Sequence, residues 1–114
     1  MNNGFPKDNK LCGSLRIAQV YKEGKRFVAW PLRISYMPAE DRTQVLVWAP
    51  KSLFKRAVKR NRLRRLMREA YRLHQELLGE NHYLITVNYM DKEEQPYEVI
   101  EKAVCKALKK ISGK

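Results

Sequence analysis

Residues 55–78 read KRAVKRNRLRRLMREAYRLHQELL, and the rest of the chain is organised around them. Leu63, Leu66, Met67, Ala70, Leu73 and Leu77 recur at spacings of three and four, the period of one side of an α-helix. At about 100° per residue, Arg60, Arg64, Arg68 and Arg72 form a row that winds onto the far side. Asn61 and Arg65 fall beside that row, and Arg62 sits at the edge of the apolar stripe. Within residues 55–72 nine side chains are Lys or Arg, and Glu69 alone is acidic. The pattern predicts a helix with one buried side and one densely cationic side.

A cationic side of this density works against the helix that carries it. Like charges four residues apart destabilise a helix by about 0.2–0.5 kcal/mol per pair. Ordinary solvated faces mix signs and so avoid the cost. A polyanion removes it, because each Arg displaces condensed counterions and the repulsion is neutralised on binding. The stretch therefore reads as a surface that meets nucleic acid.

The charge is focused there. Of a net charge of +12 over 114 residues, residues 55–72 supply +8, residues 1–54 supply +5 and residues 73–114 supply −1. That concentration is the electrostatic footprint of a nucleic-acid binder. The length fits one domain, 1–114, with a modest core. The polar segments 1–12 and 112–114 are expected to be loose tails. Cys12 and Cys105 stand alone, with no CxxC or Cys/His spacing for a structural metal. Two lone cysteines suit a reducing cytosol. No apolar run is long enough to span a membrane, and the N-terminus does not resemble a secretory signal. The expectation is a cytoplasmic, soluble protein with no membrane partner and no small-molecule substrate.

Outward from the basic stretch the elements follow in order. Residues 14–23 predict a short helix, with Ser14 as N-cap, Gly24 as its stop, and Ile17, Val20 and Tyr21 on one face. From Lys25 to Pro50 the period changes to two. Strands are predicted at 27–30, 32–36 and 44–49, with a turn at Pro38-Ala39-Glu40-Asp41. Three strands in close succession read as an antiparallel meander. Gly79 ends the long helix. Residues 82–89 alternate again, with Tyr83, Ile85, Val87 and Tyr89 on one face and Leu84, Thr86 and Asn88 on the other. An acidic loop, 91–96, leads to a final amphipathic helix over 97–111. The order α-β-β-β-α-β-α is α+β: one four-stranded, mainly antiparallel sheet with helices packed on it.

Catalytic groupings are missing from the sequence. No Ser/His/Asp or Cys/His motif and no Gly-rich phosphate loop occurs, and the carboxylates are scattered. His74 falls on the apolar side of the long helix and reads as a packed histidine. No catalytic or metal-ligating residue is predicted in this chain.

Arg60-Asn61-Arg62, followed by Leu63-Arg64-Arg65-Leu66-Met67-Arg68-Glu69-Ala70-Tyr71, closely resembles the signature helix of the bacterial ribonuclease P protein component. Phe54, Ala57 and Val58 before it, the Lys22-Glu23-Gly24 stop and the element order extend the resemblance. It implies a protein subunit of a ribonucleoprotein endonuclease that removes the 5′ leader of precursor tRNA. The implied partners are the ribonuclease P RNA and precursor tRNA. The catalytic centre would lie in the RNA, with Mg²⁺ bound mainly by RNA and substrate and none by the protein alone. The family also implies a left-handed crossover between the third and fourth strands, against the usual hand.

Carried onto this chain, the resemblance places Arg60, Asn61, Arg62, Arg64, Arg65 and Arg68 against the RNA subunit, with Lys51, Lys55, Lys59 and Arg72 around them. Arginine suits phosphate because its planar fork can pair bidentately. Asn61 has a second role open to it, fixing the helix start by local hydrogen bonds. The leader cleft would involve Tyr21, Arg33 and Ser35. In three places the chain departs from the family pattern: Lys55 stands where Gly is common, Ile17 replaces a second aromatic, and Lys51-Ser52 replaces a basic pair. A structural RNA-binding module, such as a ribosomal or ribosome-assembly protein, explains the charge equally but not the motif order. A DNA-binding helix lacks the accompanying helix-turn-helix or zipper.

Overall fold

The computed structural model describes residues 14–40 and 42–113. The expected tail 1–12, the Ser14 side-chain cap and the Asp41 part of the predicted turn lie outside what it describes. The elements are α1 (Ser14–Glu23), β1 (Lys25–Ala29), β2 (Leu32–Pro38), β3 (Gln44–Trp48), α2 (Ala57–His74), β4 (Tyr83–Tyr89) and α3 (Tyr97–Ser112). One 3₁₀ turn, Gln75–Leu78, extends α2. The predicted α+β order is present throughout.

The meander is not. The strand order is β1-β2-β4-β3, with β1–β2 and β2–β4 antiparallel and β3–β4 parallel. β4 inserts between β2 and β3, and α2 forms the crossover between the two parallel strands. The reason lies in β4 itself. Tyr83, Leu84, Ile85, Thr86 and Val87 are buried in succession, so both faces of this strand are covered. A strand apolar on both faces belongs in the middle of a sheet, and the β2–β3 loop is left to span the gap.

One sheet face carries the main core. Leu32, Ile34, Val45, Val47, Ile85, Val87 and Tyr89 meet Leu63, Met67, Ala70 and Tyr71 of α2 and Ile100, Val104, Ala107, Leu108 and Ile111 of α3. The buried stripe of α2 is rotated from the predicted one. Tyr71 is 3% exposed, whereas Leu73 is 46% exposed and Leu66 and Leu77 are only partly covered. Buried positions 63, 67, 70 and 71 keep the three-and-four spacing, so the period was right and the centre of the face was not.

The opposite sheet face carries α1, which seats Val20 and Ile17 against Leu84, Met37 and Leu46. Gly24 ends α1 as predicted, through close approach rather than left-handed backbone. A Cβ there would stand 2.4 Å from the Val20 carbonyl oxygen and 2.7 Å from that of Tyr36. Gly79 does take a positive φ, 76°, at the end of the α2 extension. At the C-terminus Ser112 closes α3 and the Gly113 N–H donates to Lys109 and Lys110 carbonyls, so these two residues belong to the helix end rather than to a tail.

Candidate nucleic-acid interface

α2 sorts its cations into groups with different surroundings. Arg60 turns toward its own loop: Nη1 donates to the carbonyls of Phe54 at 2.8 Å and Lys55 at 2.9 Å. It ties the chain entering α2 onto the first turn, which has no side-chain cap. Lys59 and Arg62 reach Glu94 of the β4–α3 loop, at 3.6 and 3.8 Å. That acidic loop is pinned in place, with Tyr89 Oη donating to the Glu93 carbonyl at 2.5 Å and accepting from the Gln95 N–H at 2.9 Å. Arg72 pairs with Glu69 at 2.6 Å, and that hydrogen bond holds its guanidinium above the usual value.

Arg65 and Arg68 differ from these. Neither makes a hydrogen bond or ion pair among the described residues. Partial burial, reinforced by the charges of Arg64 and Arg65, pushes the Arg68 guanidinium below its usual value. A desolvated cation beside two like charges, with no carboxylate to relieve it, is an arrangement that an incoming phosphate stabilises. Lys51 and Lys55 are exposed in the loop before the helix. Arg56, Lys59 and Lys92 line a groove of about 480 Å³ where the head of α2 meets the β4–α3 loop.

Arg64 leaves the far side altogether. Its guanidinium lies 5.5 Å from the centroid of the Trp48 ring and hydrogen-bonds Asn61 Oδ1. Asn61 therefore does make a local bond, one turn from the helix start, and its partner is Arg64. The signature helix is thereby linked to the open part of the sheet.

That open part includes one row that runs across all four strands. Val28 pairs with Arg33, Arg33 with Asn88 and Asn88 with Trp48, and register places all four on the same face. α1 borders the row: the Tyr21 hydroxyl is 3.2 Å from Asn88 Oδ1 and 3.1 Å from its Nδ2. Tyr21 and Arg33 of the predicted cleft are thus brought together and exposed. Ser35 is not. It lies one rung away, opposite Thr86, and at 1% exposure it is covered, with α1 packed on that face. Sequence reasoning did not single out Trp48 and Asn88, which share this row with Arg33. Their alternation pointed to the right face, but only the limited reach of α1 shows that their end of it stays open.

His74 pairs with Glu101 across the α2–α3 contact at 2.9 Å, a packed histidine as predicted. Among the described residues no group of three or more His, Cys, Asp or Glu side chains gathers to hold a metal ion, and no helix is long and apolar enough to cross a membrane.

Fold and site together define a small, basic α+β domain with an arginine-rich helix joined to an open, partly aromatic sheet face. The model of the Ribonuclease P family matches residues 5–112, and the chain belongs to that family. It is 39% identical over 120 residues to the ribonuclease P protein component of Porphyromonas gingivalis, an alignment covering 96% of this chain and 88% of the relative. The fold is shared with the ribonuclease P protein of Thermotoga maritima (TM-score 0.77, 19% identity, covering 89% of this chain and 96% of that one). It is shared also with that of Staphylococcus aureus (TM-score 0.73, 16% identity, covering 89% and 93%).

Proposed function

We propose that this chain binds the ribonuclease P RNA through the far side of α2 and holds the 5′ leader of precursor tRNA across the open sheet row, promoting leader removal in the cytoplasm. The observation that carries the reading is the pair Arg65 and Arg68, cations left without a counter-charge on a helix whose other basic residues are occupied. A phosphate backbone supplies the missing charge, and an RNA subunit supplies it along the length of the helix. The leader, being single-stranded, suits a surface of exposed rings and cations. Tyr21 and Arg33 provide one of each, and Asn88 holds the Tyr21 hydroxyl in place.

The hydrolytic centre is assigned to the RNA. Two carboxylates near the site are held in ion pairs, Glu94 with Lys59 and Arg62 and Glu69 with Arg72. Mg²⁺ is assigned to RNA and substrate oxygens, the hard donors it prefers. The protein's contribution is to bind, orient and neutralise.

Reconstitution tests this. Purified protein is added to the ribonuclease P RNA of the same organism, and precursor-tRNA cleavage is followed at low-millimolar Mg²⁺. The expected result is strong stimulation of the RNA by the protein, with no cleavage by protein alone. Tight RNA binding without stimulation would instead favour a structural RNA-binding module.

A further inference from the structure

Trp48 ends the open row on edge strand β3 and leaves 45% of its surface exposed. A single exposed aromatic is unremarkable on a protein surface. Three features set this one apart. A guanidinium is held over the ring, and Asn61, one turn earlier on the same helix, accepts a hydrogen bond from it and orients it. The neighbours of Trp48 along the row are an amide, Asn88, and a cation, Arg33, rather than apolar residues that would mark a protein–protein patch. A second ring, Tyr21, is fixed to Asn88, directly beside Trp48 in register. With strands about 4.8 Å apart, the row from Val28 to Trp48 spans about 14 Å, and a strand crossing it meets Trp48 just beyond the Tyr21–Asn88 pair.

We propose that Trp48 is a stacking platform for one unpaired base of the leader, and that Arg64 binds the phosphate of the same nucleotide. This rests on the leader lying across the sheet. The base packs on the part of the indole that Arg64 leaves open, where it adds ring-on-ring contact that every base can make. The guanidinium, with one amino group on Asn61, keeps its other donors free for phosphate. Arg64 then serves the substrate, whereas Arg65 and Arg68, on the far side of the same helix, serve the RNA subunit. The bond between Asn61 and Arg64 joins the two functions.

The test uses the reconstituted holoenzyme and two ligands, a precursor tRNA with a leader of several nucleotides and the mature tRNA without one. Trp48→Ala should lower precursor affinity about tenfold, the scale of one lost base–aromatic stack. Affinity for mature tRNA and for the RNA subunit should not change, and Trp48→Phe should recover most of the loss. Precursors carrying an abasic site at successive leader positions should locate the base: at one position the wild-type protein loses as much as Trp48→Ala does, and the variant loses nothing more. Equal loss for precursor and mature tRNA would overturn the proposal. So would a Trp48→Ala protein with full precursor affinity while Tyr21→Ala still weakens the precursor selectively, a result that keeps the leader on the sheet and removes Trp48 from it. If neither variant distinguishes precursor from mature tRNA, the leader does not lie on this face at all. Thermal melts of each variant correct the affinities for folded fraction.

Discussion

α2 and α3 lie side by side over the same sheet face and bury stripes of the same kind, yet their outer sides differ in every respect that matters for function. α3 places Ile100, Ala103, Val104, Ala107, Leu108 and Ile111 inward and mixes signs outside, with Glu98 four residues before Lys102, an orientation that supports a helix. α2 buries Leu63, Met67, Ala70 and Tyr71 and sets Arg64, Arg65 and Arg68 within one turn of each other. The inner stripes assemble the fold, and either helix could carry either exterior. On the proposed reading, what α2 gives up in helix stability is recovered when phosphates neutralise this side. The contrast separates residues that hold the protein together from residues that use it.

The largest effects should come from the shared inner sides. Leu63 and Ile100 are each fully buried, so Leu63→Ala and Ile100→Ala should each cost about 2–5 kcal/mol in urea unfolding. RNA affinity per folded molecule should be unchanged in both. A loss of affinity in excess of the unfolded fraction for Leu63→Ala alone would mean that the two sides of α2 are not independent.

A smaller effect, opposite in sign for the two properties, is expected at Arg68. Arg68→Met keeps a long stem and removes the like charge at i+4 from Arg64, which should stabilise the free protein by about 0.2–0.5 kcal/mol. RNA-subunit affinity should fall several-fold. Lys106→Met on α3 is the matched control and should leave RNA affinity unaltered. Filter binding together with chemical unfolding reads both quantities. Equal losses for the two helices would erase the distinction between them.

The smallest effect sharpens the comparison at the boundary of α2. Glu94 offsets Lys59 and Arg62 across exposed contacts of 3.6 and 3.8 Å, pairs worth at most about 1 kcal/mol. Glu94→Gln should leave the melting temperature within a degree or two, on the scale of such a pair. It should raise RNA affinity slightly at low salt, because two cations are released. A decrease in affinity would show that Glu94 itself contacts the complex.

How much of this was legible follows from the same physics. Helical period and the run of arginines are local properties, so α2 and its cationic side could be read directly. Strand pairing is not local. The five residues between β2 and β3 look like a hairpin connection, and only the double-sided burial of β4 places it between them; Leu84 and Thr86 alternating with Ile85 and Val87 held that signal in a form easily taken for one apolar face. Leu73 and Tyr71 exchanged roles because a rotation of the buried stripe by a fraction of a turn preserves its period. Ser35 and Trp48 occupy the same sheet face, and their fates are set by where α1 ends. Tyr21 sits at that border and was named through the family resemblance, whereas Trp48 lies outside the residues that carry the resemblance.

The division between holding and using is tested most directly by the salt dependence of RNA-subunit binding for the wild type and Arg65→Ala. Arg65 is exposed and unpaired among the described residues, so its removal should not lower the melting temperature. The slope of log affinity against log salt should become shallower by about 0.7–0.9, the release of one fewer counterion. An unchanged slope accompanied by a lower melting temperature would contradict the account, because it would make the arginine ridge part of the fold rather than the surface that RNA occupies.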